Sequence, residues 1–230
     1  MKRFFKWLAY SGETKRMVCL ANSRKMGERC VAGIELVDGK PVAWIRPVSK
    51  RPHEELAPRE RQYANGNEPR LLDIIEVPVQ EHRPKQYQSE NWLIASNRKW
   101  KERGTFSWNE LLRLVNHKKP LWINGHHTHN GYNDHVPLAE ARTLDHSLRL
   151  VHVDRWKLHV FKVYYKPTVQ AEFSFGGTSY RLKVTDPLIE ETYIHTDGEY
   201  DLGESLLTIS LGEPFNDCCY KLVAAVLRKP

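Results

Sequence analysis

Cysteine is scarce: four residues, at positions 19, 30, 218 and 219, with no CxxC spacing among them. That pattern supplies neither a disulfide framework nor the usual zinc-ligand spacing, so a reducing, cytoplasmic setting is the expectation. Long apolar runs are missing too; none approaches the ~20 residues that a membrane-spanning helix needs. The opening "MKRFFKWLAY" is interrupted by Lys6 and no small-residue cleavage site follows, so it is not expected to be a secretory signal. The chain has no P-loop, no Rossmann glycine fingerprint and no GxSxG, and the enzyme classes those motifs mark are not indicated. From Asp186 to Asp217 there is no Lys or Arg at all, against nine acidic residues.

What is present is a globular composition, 40% hydrophobic and 27% charged, with a formal net charge of +7 over 230 residues. The positive charge is concentrated: residues 1–185 hold 32 Lys and Arg against 19 Asp and Glu. A basic body attracts phosphate-bearing polymers and releases their counterions. The same charge is also compatible with an ordinary solvated surface. The acidic segment 186–217 is a surface that a polyanion avoids, a segment that tucks across the basic face and competes for it, or a docking site for a protein partner.

Short β-type runs dominate both halves. "MVCLA", "CVAGIEL", "PVAWIRPV" and "LLDIIEVPV" lie before residue 80, with the turn "DGK" at 38–40. "SLRLVHV", "KLHVFKVYY", "VQAEFSF", "SYRLKV", "LLTISL" and "KLVAAVL" follow residue 145, with a Gly-Gly turn in "FGGTSY". Between the groups, "SWNELLRLV" places Ser107 and Glu110 as a capping box ahead of the apolar face Leu111, Leu114 and Val115. "APRERQY" offers a shorter helix with Pro58 at its first position. No internal repeat is visible.

This string predicts a mainly β protein, two small five-stranded Greek-key barrels joined by a partly helical connector, although sandwiches would leave a similar trace. The expected boundaries are 1–83 for a first barrel with a basic N-terminal arm, 84–146 for the connector with a helix near 108–116, and 147–230 for a second barrel.

The segments "CLANSRK", "CVAG", "WIRPVS", "YANG", "LLDIIEVPV", "YQSENW", "NDHVP", "SLRLVHV", "YRLKVTDP" and "ISLGEPF" with "CYKLVAAVL" occur in this order. In them the chain resembles the bacterial dual OB-containing domain family (DuOB) from about Met17 to Leu227. The resemblance implies two OB-like units and a nucleic-acid role, inferred for genes in phage- and mobile-element-conflict settings. It brings no established catalytic residues and no cofactor.

Candidate contacts follow from residue type. In "CLANSRKMGERC" a buried strand is expected to end in a polar loop, where Arg24 and Lys25 would grip phosphates, Ser23 would bond a phosphate oxygen and Asn22 a base edge. Ordinary turn chemistry accounts for Asn22 and Ser23 equally well. In "AWIRPVSKRPH", Trp44 and Arg46 share a strand face, a pairing that suits stacked bases and their backbone, while Lys50 and Arg51 extend the basic patch. A core Trp44 with Arg46 at the rim is the alternative. The remaining motifs add Arg29, Asn91 with Trp92, and Tyr220 with Lys221. "SENWLIASNRKWKERGTFSW" interleaves Trp92, Trp100 and Trp108 with basic residues, as either a strand-binding groove or packing between barrels would.

An enzyme is the other class to weigh. "HHTHNGYNDH" brings His126, His127, His129, Asp134 and His135 together without any known metal spacing, and Asp134 and His135 are weak candidates for acid–base roles in a nuclease or base-modifying activity. Asp73 and Glu76 are three apart on a strand and face opposite ways, and Cys218 and Cys219 have no nearby triad. No metal and no organic cofactor is expected.

Overall fold

The computed structural model describes residues 12–115 and 119–229. The basic N-terminal arm and the last residue of the helix expected near 108–116 lie outside the described residues.

The first unit begins with three strands in succession, β1 (Thr14–Lys25), β2 (Glu28–Val37) and β3 (Lys40–Val48). They are joined by two-residue turns at Met26-Gly27 and Asp38-Gly39, where all four φ angles are positive, between 48° and 82°. Such turns match the natural strand twist. The basic stretch Asn22 to Lys25 is therefore strand and not loop. Ser23 faces Cys30, Arg24 faces Arg29 and Lys25 faces Glu28 across the hairpin, and only two residues are needed to reverse the chain.

Helix α1 (Pro58–Arg61) follows, with Glu60 Oε2 accepting from Ala57 N at 2.9 Å, and then come β4 (Asp73–His82) and β5 (Asn91–Ile94). The strand order is β1-β2-β3-β5-β4, and β4 pairs back with Thr14 to Val18 of β1. The result is a closed five-stranded barrel in which only β3 and β5 run parallel. A bulge between Cys19 and Ala21 lets β1 serve both neighbours. Gly33 stands opposite that bulge; a Cβ there would lie 1.8 Å from the Val18 carbonyl oxygen.

β6 (Lys101–Thr105) extends this sheet beside β4. The first unit thus passes the expected boundary at residue 83. Its closing strand lies inside the presumed connector, where four residues are too few to display an alternation.

Between the units run α2 (Trp108–Leu112), β7 (His135–Pro137) and α3 (Leu138–Ala141). Ser107 caps α2 as its sequence predicts, its hydroxyl accepting from Glu110 N at 3.2 Å. The second unit contains β8 (Leu148–Val153), β9 (Trp156–Val163), β10 (Lys166–Phe175), β11 (Thr178–Val184), α4 (Pro187–Tyr193), β12 (Gly198–Leu202), β13 (Ser205–Phe215) and β14 (Cys218–Arg228).

It repeats the path of the first. β11 and β14 are parallel, as β3 and β5 are. β8 pairs with β13 as the start of β1 pairs with β4, and β9 pairs with β10 as the rest of β1 pairs with β2. The bend at Asp154-Arg155 divides what is one strand in the first unit. Each helix between the third and fourth barrel strands opens on a proline, Pro58 or Pro187. The duplication is one of topology; no residue repeat accompanies it.

Each barrel has its own core, around Met17, Ile45, Ile75 and Trp100 in the first and Trp156, Phe173, Tyr180 and Leu207 in the second. A third apolar cluster joins them, built from Val18, Leu20, Leu148, Leu150, Leu206 and Leu227 and covered by Phe106, Trp108 and Leu111. β1 thus buries both faces, Met17 and Cys19 inward and Val18 and Leu20 against the other unit. That is why "MVCLA" is uniformly apolar.

Candidate functional site

The β1–β2 hairpin overhangs the outer face of the second barrel, and Arg24 N donates to Thr185 O there at 2.8 Å. Beneath the hairpin lies a cleft of about 550 Å³. Its floor is a row of side chains in register across four strands: Gln170 on β10, Lys183 on β11, Leu222 on β14 and Ser210 on β13. Its roof is Ser23, Arg24, Lys25, Met26 and Cys30, and Phe215 and Tyr220 stand beside it.

The cleft is lined by Arg24, Lys25 and Lys183, and carboxylates of the acidic segment pair with the first two. Glu190 of α4 pairs with Arg24 at 2.8 Å, and Glu213 of β13 pairs with Lys25 at 3.5 Å and Lys85 at 3.1 Å. Burial pushes the Glu190 carboxyl above its usual range, with Arg24 pulling the other way. Glu213 is held below its usual range by Lys25 and Lys85 in spite of its burial. Glu190 and Glu213 of segment 186–217 are thus paired with cations of the basic body.

The structure gathers Ser23, Arg24, Lys25, Tyr220 and Lys221 at this cleft, with Arg46 and Asp134 at its depth. Asn22 and Arg29 line a second hollow on the other side of the hairpin, facing Pro69 and α4, and Asn22 Nδ2 donates to Pro69 O at 2.9 Å. Lys50 lines neither; it stands in a third hollow with Arg83, Arg98 and Glu81. Arg51 is tied to Glu55 and Glu60. Trp44 is partly buried against the cluster between the barrels, while Arg46, which the core alternative put at the rim, is buried. Trp92 is half-buried, with Lys15 Nζ 4.1 Å from its ring centroid and the His82 ring 4.9 Å away. Trp100 and Trp108 are buried, so they pack and do not line a groove.

Arg46 and Asn91, read from sequence as contact residues, are inside the molecule. Arg46 is 2% exposed and Asn91 fully buried. The Arg46 guanidinium pairs with Glu90 at 3.1 Å, donates to Asn91 Oδ1 at 3.1 Å, and crosses to Ser147 Oγ at 2.9 Å in the second unit. It is a tie between barrels.

Asp134 and His135 touch, Nδ1 to Oδ1 at 3.0 Å. The same carboxylate accepts from Thr128 N at 2.9 Å and from the Thr128 hydroxyl. Gly131 closes over it, where a Cβ would stand 2.0 Å from Oδ2. These bonds make Asp134 the anchor of a loop. Among the described residues no group of three His, Cys, Asp or Glu is placed to hold a metal ion. The His135 ring does belong to a file: His126 and His135 are 5.8 Å apart, His135 and Tyr220 5.8 Å, and Tyr220 and Phe215 6.5 Å.

Lys221 is buried, its Nζ donating to Ile123 O at 2.7 Å and Asn124 Oδ1 at 2.9 Å. Burial draws its pKa down to about 7, while Asp134 pulls upward. Between about 7 and the ordinary 10.5, the unfolded chain keeps a proton that the folded one has released. Stability should therefore rise with pH through that window and lose this contribution as pH falls to about 7. Melting of the wild type against Lys221→Met from pH 6 to 10 checks this; parallel curves would contradict it.

Sequence reasoning did not single out Gln170, Lys183 or Phe215, which are brought to the cleft by the fold of the second sheet. It also missed Tyr164 and Tyr165. Expected within a strand, they form the β9–β10 turn at φ 46° and 64°, each more than 90% exposed. No Gly or Asn marks that turn. Left-handed backbone costs a non-glycine residue about 1–2 kcal/mol, so Tyr164→Asn with Tyr165→Gly should raise the melting temperature; an unchanged or lower value would count against strain.

A closed five-stranded barrel and a second sheet that follows the same 1-2-3-5-4 path, with one cationic cleft between them, define a paired OB-fold protein. The model of the dual OB-containing domain matches residues 15–226, and the chain belongs to that family. It is also similar to a solved structure, "Crystal structure of the tetrameric p202 HIN2", at TM-score 0.32 and 9% identity over 98% of each chain. Among curated proteins none matches. No helix of the described residues is long and apolar enough to cross a membrane.

Proposed function

We propose that this protein binds single-stranded nucleic acid in the cleft between its barrels. OB folds hold oligonucleotides on their second and third strands and in the loops between strands one and two and strands four and five. Here the outer face of β10 and β11 meets the Met26-Gly27 turn of the first unit and the neighbourhood of the Asn216-Asp217 turn of the second. That convergence, with Arg24, Lys25 and Lys183 at hand, is the observation that carries the reading. The ring file from His126 to Phe215 adds a surface on which successive bases stack.

The test is a titration of labelled single- and double-stranded DNA and RNA at two salt concentrations, with products checked on a gel. Tighter binding to single strands, weakening steeply with salt, supports the proposal. Absence of binding at low salt overturns it, and cleavage or base conversion would move the protein to the enzyme class.

Glu190 and Glu213 compete with phosphate for the cleft cations. Glu190→Gln with Glu213→Gln should therefore raise affinity several-fold at low salt, with a gain that shrinks as salt is added. Unchanged or weaker binding would show that these carboxylates do not oppose the strand.

A further inference from the structure

Each sheet ends in a short strand with one side open. β6 lies beside β4 and β12 beside β9, and among the described residues neither pairs with a further strand. Every residue from Lys101 to Thr105 is exposed, as are Gly198, Glu199 and Asp201 of β12. An open edge presents unpaired N–H and C=O groups and is a template for another strand.

Charged side chains ordinarily keep such edges apart, and on this chain the two edges carry opposite signs. Lys101 and Arg103 share the face of Glu76, which lies opposite Lys101 and accepts from Arg103 at 2.8 Å. Glu199 and Asp201 share the face of His159 and Lys157, the residues opposite them on β9. Both charge pairs have the two-residue spacing that puts them on one side of a strand. Antiparallel pairing with Arg103 opposite Glu199 and Lys101 opposite Asp201 therefore aligns the outer faces and matches both charges, with Glu102 opposite Tyr200. With outer faces aligned, β6 against β6 or β12 against β12 sets like charges together, which is unfavourable. Arg103 and Glu199 have partners inside the chain, but Lys101 and Asp201 make no ion pair among the described residues.

We propose that copies of this chain join head to tail, β6 of one adding to β12 of the next as an antiparallel strand. Such a contact is heterologous, so the assembly closes as a ring or grows as a filament. The proposal is independent of the nucleic-acid reading above. The ladder is short and polar, so association is weak and is favoured by high protein concentration and low salt.

Sedimentation velocity of the nucleic-acid-free protein over a range of concentrations, at two salt concentrations, tests this. The wild type should associate with rising concentration at low salt and return to monomer at high salt. Lys101→Glu and Asp201→Lys each replace an opposite-charge pair of the ladder by a like-charge one, and each should weaken association about tenfold. The first lowers the net charge of +7 and the second raises it, so a general charge effect would move the two in opposite directions. Both side chains are exposed, so both variants should melt as the wild type does. An equimolar mixture of the two variants should associate again, because their altered edges match each other and so do their unaltered ones. A wild type that stays monomeric at low salt overturns the inference. So does association that is indifferent to salt, that either variant leaves unchanged, or that the mixture fails to restore.

Discussion

Arg46→Ala should destabilise the protein by about 3–5 kcal/mol, the cost of removing one partner from a buried ion pair. Glu90, 3% exposed at its side chain, would be left with no cation beside it. Glu90 also accepts from the Ser147 hydroxyl, and Arg46 bonds Ser147, so the loss falls on the junction between the barrels. Replacing both charges, Arg46→Met with Glu90→Gln, should recover most of the loss, because no unpaired charge remains. Arg46→Lys should recover little, since an ammonium lacks the fork that reaches Asn91 and Ser147 together. Urea unfolding of the four proteins measures this. Wild-type stability in Arg46→Ala with weakened nucleic-acid binding would restore the contact role its sequence position suggests.

Arg24→Ala with Lys183→Ala should lower affinity for a single strand about a hundredfold at low salt, roughly tenfold per charge-assisted phosphate contact. The slope of log affinity against log salt should become shallower by about 1.4, two cations at about 0.7 each. Lys183 is exposed, but Arg24, 52% exposed, is the partner of Glu190, whose side chain is 10% exposed, so the melting temperature should fall with Arg24→Ala and the salt slope is read below it. An unchanged slope would place the polymer elsewhere, with the basic hollow at Lys50, Arg83 and Arg98 next to be tested.

Local chemistry settled much of this molecule in advance. The Asp-Gly and Gly-Gly turns, Ser107 and Pro58 at helix starts, and the apolar strands before residue 80 and after residue 145 are each decided by a few neighbouring residues. They stand where the sequence places them. Arg24 and Lys25 were read as part of a polar loop because an unrelieved run of polar and basic side chains closes a buried strand; they are strand residues that line the cleft. Arg46 and Asn91 were misread because a polar residue on a strand looks the same whether it meets solvent or a partner more than forty residues away.

Other features were decided only by tertiary structure. The short closing strand β5 is defined by its hydrogen bonds to β3 and β4 and not by its own four residues. The row Gln170, Lys183, Leu222 and Ser210 spans 53 positions of sequence and exists through strand register alone. Composition determined that the chain is basic with one acidic segment; folding determined that Glu190 and Glu213 of that segment end against Arg24 and Lys25. Electrostatic pairing depends on distance in space, and a sequence records only distance along the chain.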